Sequence, residues 1–252
     1  MGTIYAIANQ KGGVGKTTTA VNVAACIAAA GYETLVVDVD PQGNASVGLG
    51  VARDEGPGVY EVLAGGVPAR AAVRPTAVER LSMLASSPDL AGAAVELPRL
   101  PGSETRLRDA LAPLREDYAF ILLDCPPSLG PLTVNALAAA ERVIVPVQTE
   151  YFALEGLAGL LDTLSLIQRE LNPRLTVAGM LLTMHDARTK LAQDVEREVR
   201  EHFPALVFDT VIPRNVRLGE APSYGVPVIH HDPHCAGSEA YFELAKEVAA
   251  RG

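Results

Sequence analysis

Two hydrophobic periods alternate along this chain. Short, unbroken apolar or β-branched runs predict strands buried on both faces: Thr3–Ala8, Glu33–Asp38, Leu81–Ala85, Tyr118–Asp124, Arg142–Val147, Thr176–Thr183 and Leu206–Val211. The stretches between them carry apolar residues at helical spacing. Residues 16–30 are alanine-rich and run to a C-cap at Gly31, and residues 130–140 carry Leu132 and Leu137. Residues 153–171 place Leu157, Leu160, Leu161, Leu164, Ile167 and Leu171 on one face, and residues 187–202 put Leu191, Val195 and Val199 on one stripe. A last helix covers 237–250. Strands alternating with helices predict right-handed crossovers and an α/β fold, a doubly wound, mostly parallel sheet with helices on both faces. The glycine- and proline-rich stretch 48–80 reads as surface connection around one short helix near Val59–Leu63, and Leu97–Ser103 as a second irregular stretch. Without an internal repeat or a linker, residues 1–252 are expected to form one domain.

Composition narrows this picture. A chain of 252 residues that is 48% hydrophobic can bury a substantial core. With no tryptophan and 5% aromatic residues that core must be aliphatic, which suits a parallel sheet covered by Ala- and Leu-rich helices. The net charge of −9 argues against a generally basic surface but leaves room for a local basic patch. Cys26, Cys125 and Cys235 are far apart and form no C-x-x-C pair, so neither disulfides nor a zinc knuckle are expected. The first strand leaves no room for a charged-then-apolar leader, and no apolar run approaches the ~20 residues of a membrane span. A cytoplasmic protein, not a membrane one, is the expectation.

The chemistry is concentrated where strands end. Directly after the first strand comes Lys11-Gly12-Gly13-Val14-Gly15-Lys16-Thr17-Thr18-Thr19. Glycines there let backbone N–H groups turn inward as an anion nest. Lys16 can reach terminal phosphates, Thr17 offers a hydroxyl to Mg²⁺, and the helix that follows adds its positive N-terminus. The pattern predicts a nucleoside triphosphate site. It departs from the usual G-x-x-x-x-G-K-[ST], which would place glycine where this chain has Gln10, and instead sets a second lysine, Lys11, at the mouth of the loop. Lys11 reads either as a solvated side chain or as a cation that meets developing phosphate charge, and it can point toward its own nucleotide or a neighbour's.

In an open α/β sheet the ligand lies beyond the carboxyl ends of the strands. Asp124 ends the fourth predicted strand and is the natural partner of Mg²⁺, directly or through water. The second ends Val37-Asp38-Val39-Asp40, with alternation placing both carboxylates on one side. Asp40, past the strand, can orient water toward the γ-phosphate; Asp38, further inside, is expected in the metal shell. Arg188, Lys190, Arg214 and Arg217 fall on two segments of the C-terminal third, basic points in an acidic chain, and read either as ordinary solvated side chains or as a patch.

KGGVGKTT, VDVDPQGN and LLDCPPS resemble the deviant Walker ATPases, a branch of the P-loop NTPases, and most closely the ParA/Soj partitioning proteins. The resemblance extends through Ser87-Pro88-Asp89-Leu90, Asn135 to Ala140, Thr183 to Thr189 and Val211 to Arg217. It implies an ATP-dependent switch with Mg²⁺: an ATP-bound sandwich homodimer in which Lys11 of each subunit reaches the other's nucleotide, and in which Asp40 supports hydrolysis. It implies non-specific binding of double-stranded DNA through Arg188 and Arg217, with Lys190 and Arg214 beside them, and association with the nucleoid in the ATP state. It also implies a ParB/Spo0J-type partner that stimulates hydrolysis, and adenine held near Pro213 and Asn215. The family often has tyrosine before the final Asp-Pro; here His231 stands there, flanked by His230, His234 and Cys235, and a surface loop is expected because adjacent histidines are poor ligand geometry. Two rivals share the fold. A MinD-like membrane-cycling ATPase would need a basic amphipathic C-terminus, and this one carries three acidic and two basic residues from Glu239 on. A metabolic ligase would need a substrate pocket that sequence does not reveal.

Overall fold

A computed structural model describes residues 1–150 and 153–251. Its seven strands are β1 (Thr3–Ile7), β2 (Thr34–Asp38), β3 (Val73–Pro75), β4 (Leu81–Leu84), β5 (Phe120–Asp124), β6 (Arg142–Gln148) and β7 (Thr176–Thr183). They form one sheet in the order β3-β4-β2-β5-β1-β6-β7, parallel throughout except for the β3–β4 pair. The longer helices are α1 (Lys16–Ala29), α7 (Pro131–Ala139), α8 (Ala153–Glu170), α9 (Lys190–His202) and α12 (Ala236–Ala250). Shorter ones are α2 (Asn44–Gly48), α3 (Val59–Ala64), α4 (Ala69–Ala72), α5 (Leu90–Glu96), α6 (Arg106–Leu111), α10 (Val216–Glu220) and α11 (Val228–His231).

Strand alternation divides the core in two. Leu35, Val37, Ile121 and Leu123 face the side covered by α3, α5 to α9. Tyr5, Ile7, Val36 and Leu122 face α1, α2, α11 and α12. The first side is aliphatic and the second mainly so, with Tyr5, Phe208 and Tyr241 fully buried in it, and the strands read as continuous apolar runs. The registers Ile7↔Asp124 and Asp38↔Asp124 bring the carboxyl ends of β1, β5 and β2 abreast, which is what places the loop after β1 beside two aspartates.

Six of the seven expected strands form, and each expected helix does. Leu206–Val211 does not become a strand. It meets β7 through the single bridge Met180↔Val207, because the Asp209 and Thr210 N–H groups turn instead to the Glu247 carboxylate at 2.9 and 2.7 Å. Thr189 caps α9 through its side chain, accepting from Ala192 N at 3.3 Å, so the helix starts three residues later than the expected 187, with Leu191 exposed and Ala192, Val195 and Val199 buried. The stretch 48–80 is more ordered than a connection, holding α3, α4 and the antiparallel edge strand β3. Leu97–Ser103 opens with a short 3₁₀ turn at Leu97–Arg99. Only Asp232–Cys235 form the expected surface turn: His230 and His231 end α11, and Cys235 caps α12, its Sγ accepting from Ser238 N at 3.4 Å.

Candidate nucleotide site

The loop between β1 and α1 is shaped by two left-handed glycines, Gly13 at φ 73° and Gly15 at φ 87°, a backbone region that other residues enter at a cost. Gly15 is the N-cap of α1 and supplies no side-chain cap, so the first N–H groups of the helix keep their capacity for an anion. Neighbouring elements fasten the loop. Asn9 donates to Pro146 O of β6 at 2.7 Å and accepts from Lys11 N at 3.0 Å, while Thr183 Oγ1, at the end of β7, donates to Val14 O at 2.9 Å. Lys16 is 7% exposed and arches back over the loop, its Nζ donating to Lys11 O at 3.0 Å. Burial pulls its pKa down, against the pull of Asp124 and Asp40. Lys11 itself points outward, with Nζ 3.9 Å from the Glu150 carboxylate.

Three aspartates stand at the strand ends. Asp124 is fully buried; Thr17 Oγ1 donates to its Oδ2 at 2.7 Å, and its Oδ1 has no hydrogen-bond partner among the described residues. Burial first, and Asp38 second, hold its carboxyl well above the usual carboxylate range. Asp38 is also fully buried and pushed up to about 6 by burial; its Oδ2 accepts from Ser46 N at 2.8 Å and Ser46 Oγ at 2.7 Å, and its Oδ1 from Asp40 N at 3.3 Å. Asp40 forms a turn, its Oδ1 accepting from Gln42 N at 2.9 Å. A buried, negatively charged group of atoms with one acceptor left unsatisfied beside a threonine hydroxyl fits a hard divalent cation with oxygen ligands.

A cavity of about 390 Å³ opens on the other flank of the loop, lined by Gly15, Thr18, Thr183, Met184, Pro213, Asn215, Leu218 and Tyr241. Its mainly apolar wall with a few polar edges suits a flat heterocycle. Met184 holds a left-handed backbone at φ 51°, a strained conformation of the kind found at ligand sites. Pro213 and Asn215 thus line the same cavity as Gly15 and Thr18 of the phosphate loop. Ser46, Thr183, Met184 and Tyr241 were not singled out from sequence, and the fit of a hydroxyl at 46 to a carboxylate eight residues earlier carries no spacing signature.

The two segments that carry the four basic residues are joined through their backbones. His185 N donates to Ile212 O and Arg214 N to His185 O, both at 3.0 Å, which zips the segment after β7 to the one before α10. Each arginine has a carboxylate: Arg188 forks onto Asp186 with two bonds of 2.8 Å, Arg214 lies 3.8 Å from Glu150, and Arg217 pairs with Glu220 at 2.8 Å and Asp232 at 3.2 Å. Lys190 is exposed. Among the described residues no helix is long and apolar enough to cross a membrane, and no cluster of three or more His, Cys, Asp or Glu could hold a metal.

Comparison with known proteins gives this geometry its context. A family model described as an AAA domain matches residues 2–177. The chain is 52% identical to the sporulation initiation inhibitor protein Soj of Bacillus subtilis over 100% of both chains. It is 56% identical to the chromosome-partitioning ATPase Soj of Thermus thermophilus, covering 98% of this chain and 95% of that one. A solved structure named cobyrinic acid a,c-diamide synthase, from Mycobacterium smegmatis with bound ADP and magnesium, superposes with a TM-score of 0.86 at 38% identity, covering 98% of this chain and 93% of that one.

Proposed function

This chain belongs to the Soj/ParA family of chromosome-partitioning ATPases, and from that premise we propose that it is a DNA-partitioning switch whose grip on DNA is set by its nucleotide. The protein is an ATPase that uses ATP with Mg²⁺. Gly12 to Thr18 hold the phosphates, with Lys16 on the terminal ones. Thr17 and Asp124 hold Mg²⁺, with Asp38 behind them, braced by Ser46. Mg²⁺ held there would supply positive charge to the phosphate oxygens. Asp40 orients the attacking water, and the cavity at Pro213 and Asn215 takes the base. Lys11, which points out of its own loop, serves the nucleotide of a second subunit in an ATP-bound homodimer.

One observation carries the link to DNA. The segment 213–217 lines the base cavity with Pro213, Arg214 and Asn215, and Arg214 and Arg217 are also exposed to solvent. A base seated against that segment biases the placement of the arginines, and dimerisation doubles a weak patch. Double-stranded DNA is the ligand, bound without sequence preference through Arg188, Lys190, Arg214 and Arg217, and a ParB/Spo0J-type protein is the partner that accelerates hydrolysis and release. The test is binding to random duplex DNA with ATP, with ADP and without nucleotide, across a salt series, with solution mass measured alongside. The expected result is a dimer that binds DNA only with ATP and weakens steeply with salt. An ATP dimer indifferent to DNA would overturn the switch and leave the nucleotide site standing. Asp40→Ala should slow turnover to a small residual rate and leave nucleotide affinity unchanged.

A further inference from the structure

The glycine-rich stretch that follows α2 brings Arg53 onto the turn that contains Asp40. Its Nη2 donates to Pro41 O at 2.6 Å and to Ser87 O at 3.4 Å, and its Nη1 donates to Gln42 O at 3.0 Å. One guanidinium therefore holds two consecutive carbonyls of the Asp40 turn and ties them to the chain leaving β4. No carboxylate among the described residues pairs with it in an ion pair. The approach is close: Gly43, at φ 69°, sits under the guanidinium, and a Cβ there would stand inside it. Glycine at 43 is thus required twice, by backbone conformation and by the arginine above it.

Arg53 is itself fixed. Arg74 Nη1, from β3, donates to Ala52 O and Glu55 O at 2.7 Å each, and Val51 N donates to Ser46 O at 2.9 Å. Ser46 is the residue that braces Asp38. Gly50 packs against Gly225 so tightly that a Cβ would lie 3.0 Å from Gly225 O. Two arginines in series, Arg74 on the turn at 52–55 and Arg53 on the turn at 40–43, run from the edge strand to the water-orienting carboxylate.

We propose that Arg53 is a positioning residue for ATP hydrolysis, a forked clamp that fixes Asp40 through the carbonyls of Pro41 and Gln42 rather than by touching nucleotide. The inference rests on the assignment of Asp40 made above. A planar fork is what the geometry uses, so lysine cannot replace it: an ammonium reaches one carbonyl where the guanidinium holds three.

The test compares wild type, Arg53→Gln, Arg53→Lys, Asp40→Ala and the double variant Arg53→Gln/Asp40→Ala. Each is measured for single-turnover ATP hydrolysis with Mg²⁺, affinity for a fluorescent ATP analogue, and melting temperature. Arg53→Gln should lose about tenfold or more in the hydrolysis rate, the scale of a misplaced reacting group, with analogue affinity within about twofold of wild type. Arg53→Lys should fall between the two. In the double variant the Arg53 change should cost nothing further, because a residue that acts through Asp40 has nothing to act on once Asp40 is gone. Equal hydrolysis rates in wild type and Arg53→Gln overturn the proposal, as does an additive double variant. If Arg53→Gln does not fold, Arg53→Lys carries the same comparison, and a wild-type rate in it overturns the clamp. Unimpaired hydrolysis in Asp40→Ala alone would instead overturn the assignment of Asp40.

Discussion

Asp124→Asn separates the cost of a buried carboxylate from its use. Asp124 is fully buried, holds a raised pKa through burial and the neighbouring Asp38, and keeps one oxygen without a partner among the described residues. A carboxyl whose pKa is raised by folding destabilises the fold when ionised: nothing is lost below the unfolded value of ~4, and stability falls as pH rises toward the folded value. Asparagine has nearly the same shape, still accepts from Thr17 and carries no charge. The amide nitrogen inherits the unpartnered position, so the gain is the removed buried charge, on the order of 1–3 kcal/mol. At ~2–4 °C per kcal/mol for a chain of this size, metal-free Asp124→Asn should melt about 2–12 °C above wild type near neutral pH or a little above, with the gap closing as pH falls toward ~4. With Mg²⁺ and a non-hydrolysable ATP analogue the order should reverse. Ligand at 100 times its Kd adds about 2.7 kcal/mol to wild type, and the variant, short of a charged ligand for the ion, gains less. Scanning calorimetry in EDTA across that pH range, then with Mg²⁺ and the analogue, reads both arms. A variant that melts below wild type in EDTA near neutral pH would show that Asp124 is a structural acceptor, and an equal gain from Mg²⁺ and analogue in both proteins would remove it from the metal site.

The basic residues and the thiols give further tests. Asp186→Asn frees Arg188 from its forked pair and should tighten ATP-dependent DNA binding in low salt, measured by fluorescence anisotropy; unchanged affinity would exclude Arg188 from the DNA contacts. Arg217→Ala should weaken binding equally on all sequences and lower the salt slope by about one for each phosphate that is no longer neutralised. Cys26 is pushed up to about 12 by burial and Cys125 higher still, while Cys235 is half-buried at the start of α12. A thiol reagent should therefore label one cysteine in the native protein and all three after unfolding; rapid native labelling of Cys26 or Cys125 would contradict the packing of α1 or β5.

What could be read in advance was set by local rules. The sheet, α1 and the loop between β1 and α1 follow from apolar runs and from glycines at positions that demand a left-handed backbone. Asp124 and Asp40 follow from the rule that ligands lie beyond strand ends. The failures came where distant side chains intervened. Leu206–Val211 is apolar enough for a strand, yet Glu247 takes the N–H groups that a ladder needs. The edge strand β3 is three residues long and ends in proline, too short for a period to register. The support of the Asp40 turn escaped notice because a guanidinium on backbone carbonyls eleven and twelve residues away leaves no pattern of residue types. Lys11 was legible as unusual, and its outward pairing with Glu150 required the fold.

The last helix has a consequence for how the molecule comes into being. Thr19 of α1 shares a hydrogen bond with Tyr241, Asn22 of α1 accepts from Val228 N, and the Tyr5 hydroxyl of β1 donates to Val248 O. Tyr241 also lines the base cavity. The phosphate loop leaves the ribosome long before Tyr241 and the α12 contacts to α1. At ~5–20 residues per second, the more than two hundred residues between Thr19 and Tyr241 take roughly 10–45 s to make. During that interval the nascent chain carries the phosphate-binding motif without its frame. A chain made only as far as α9 carries the phosphate loop but lacks the Tyr241 wall of the base cavity and its bond to Thr19.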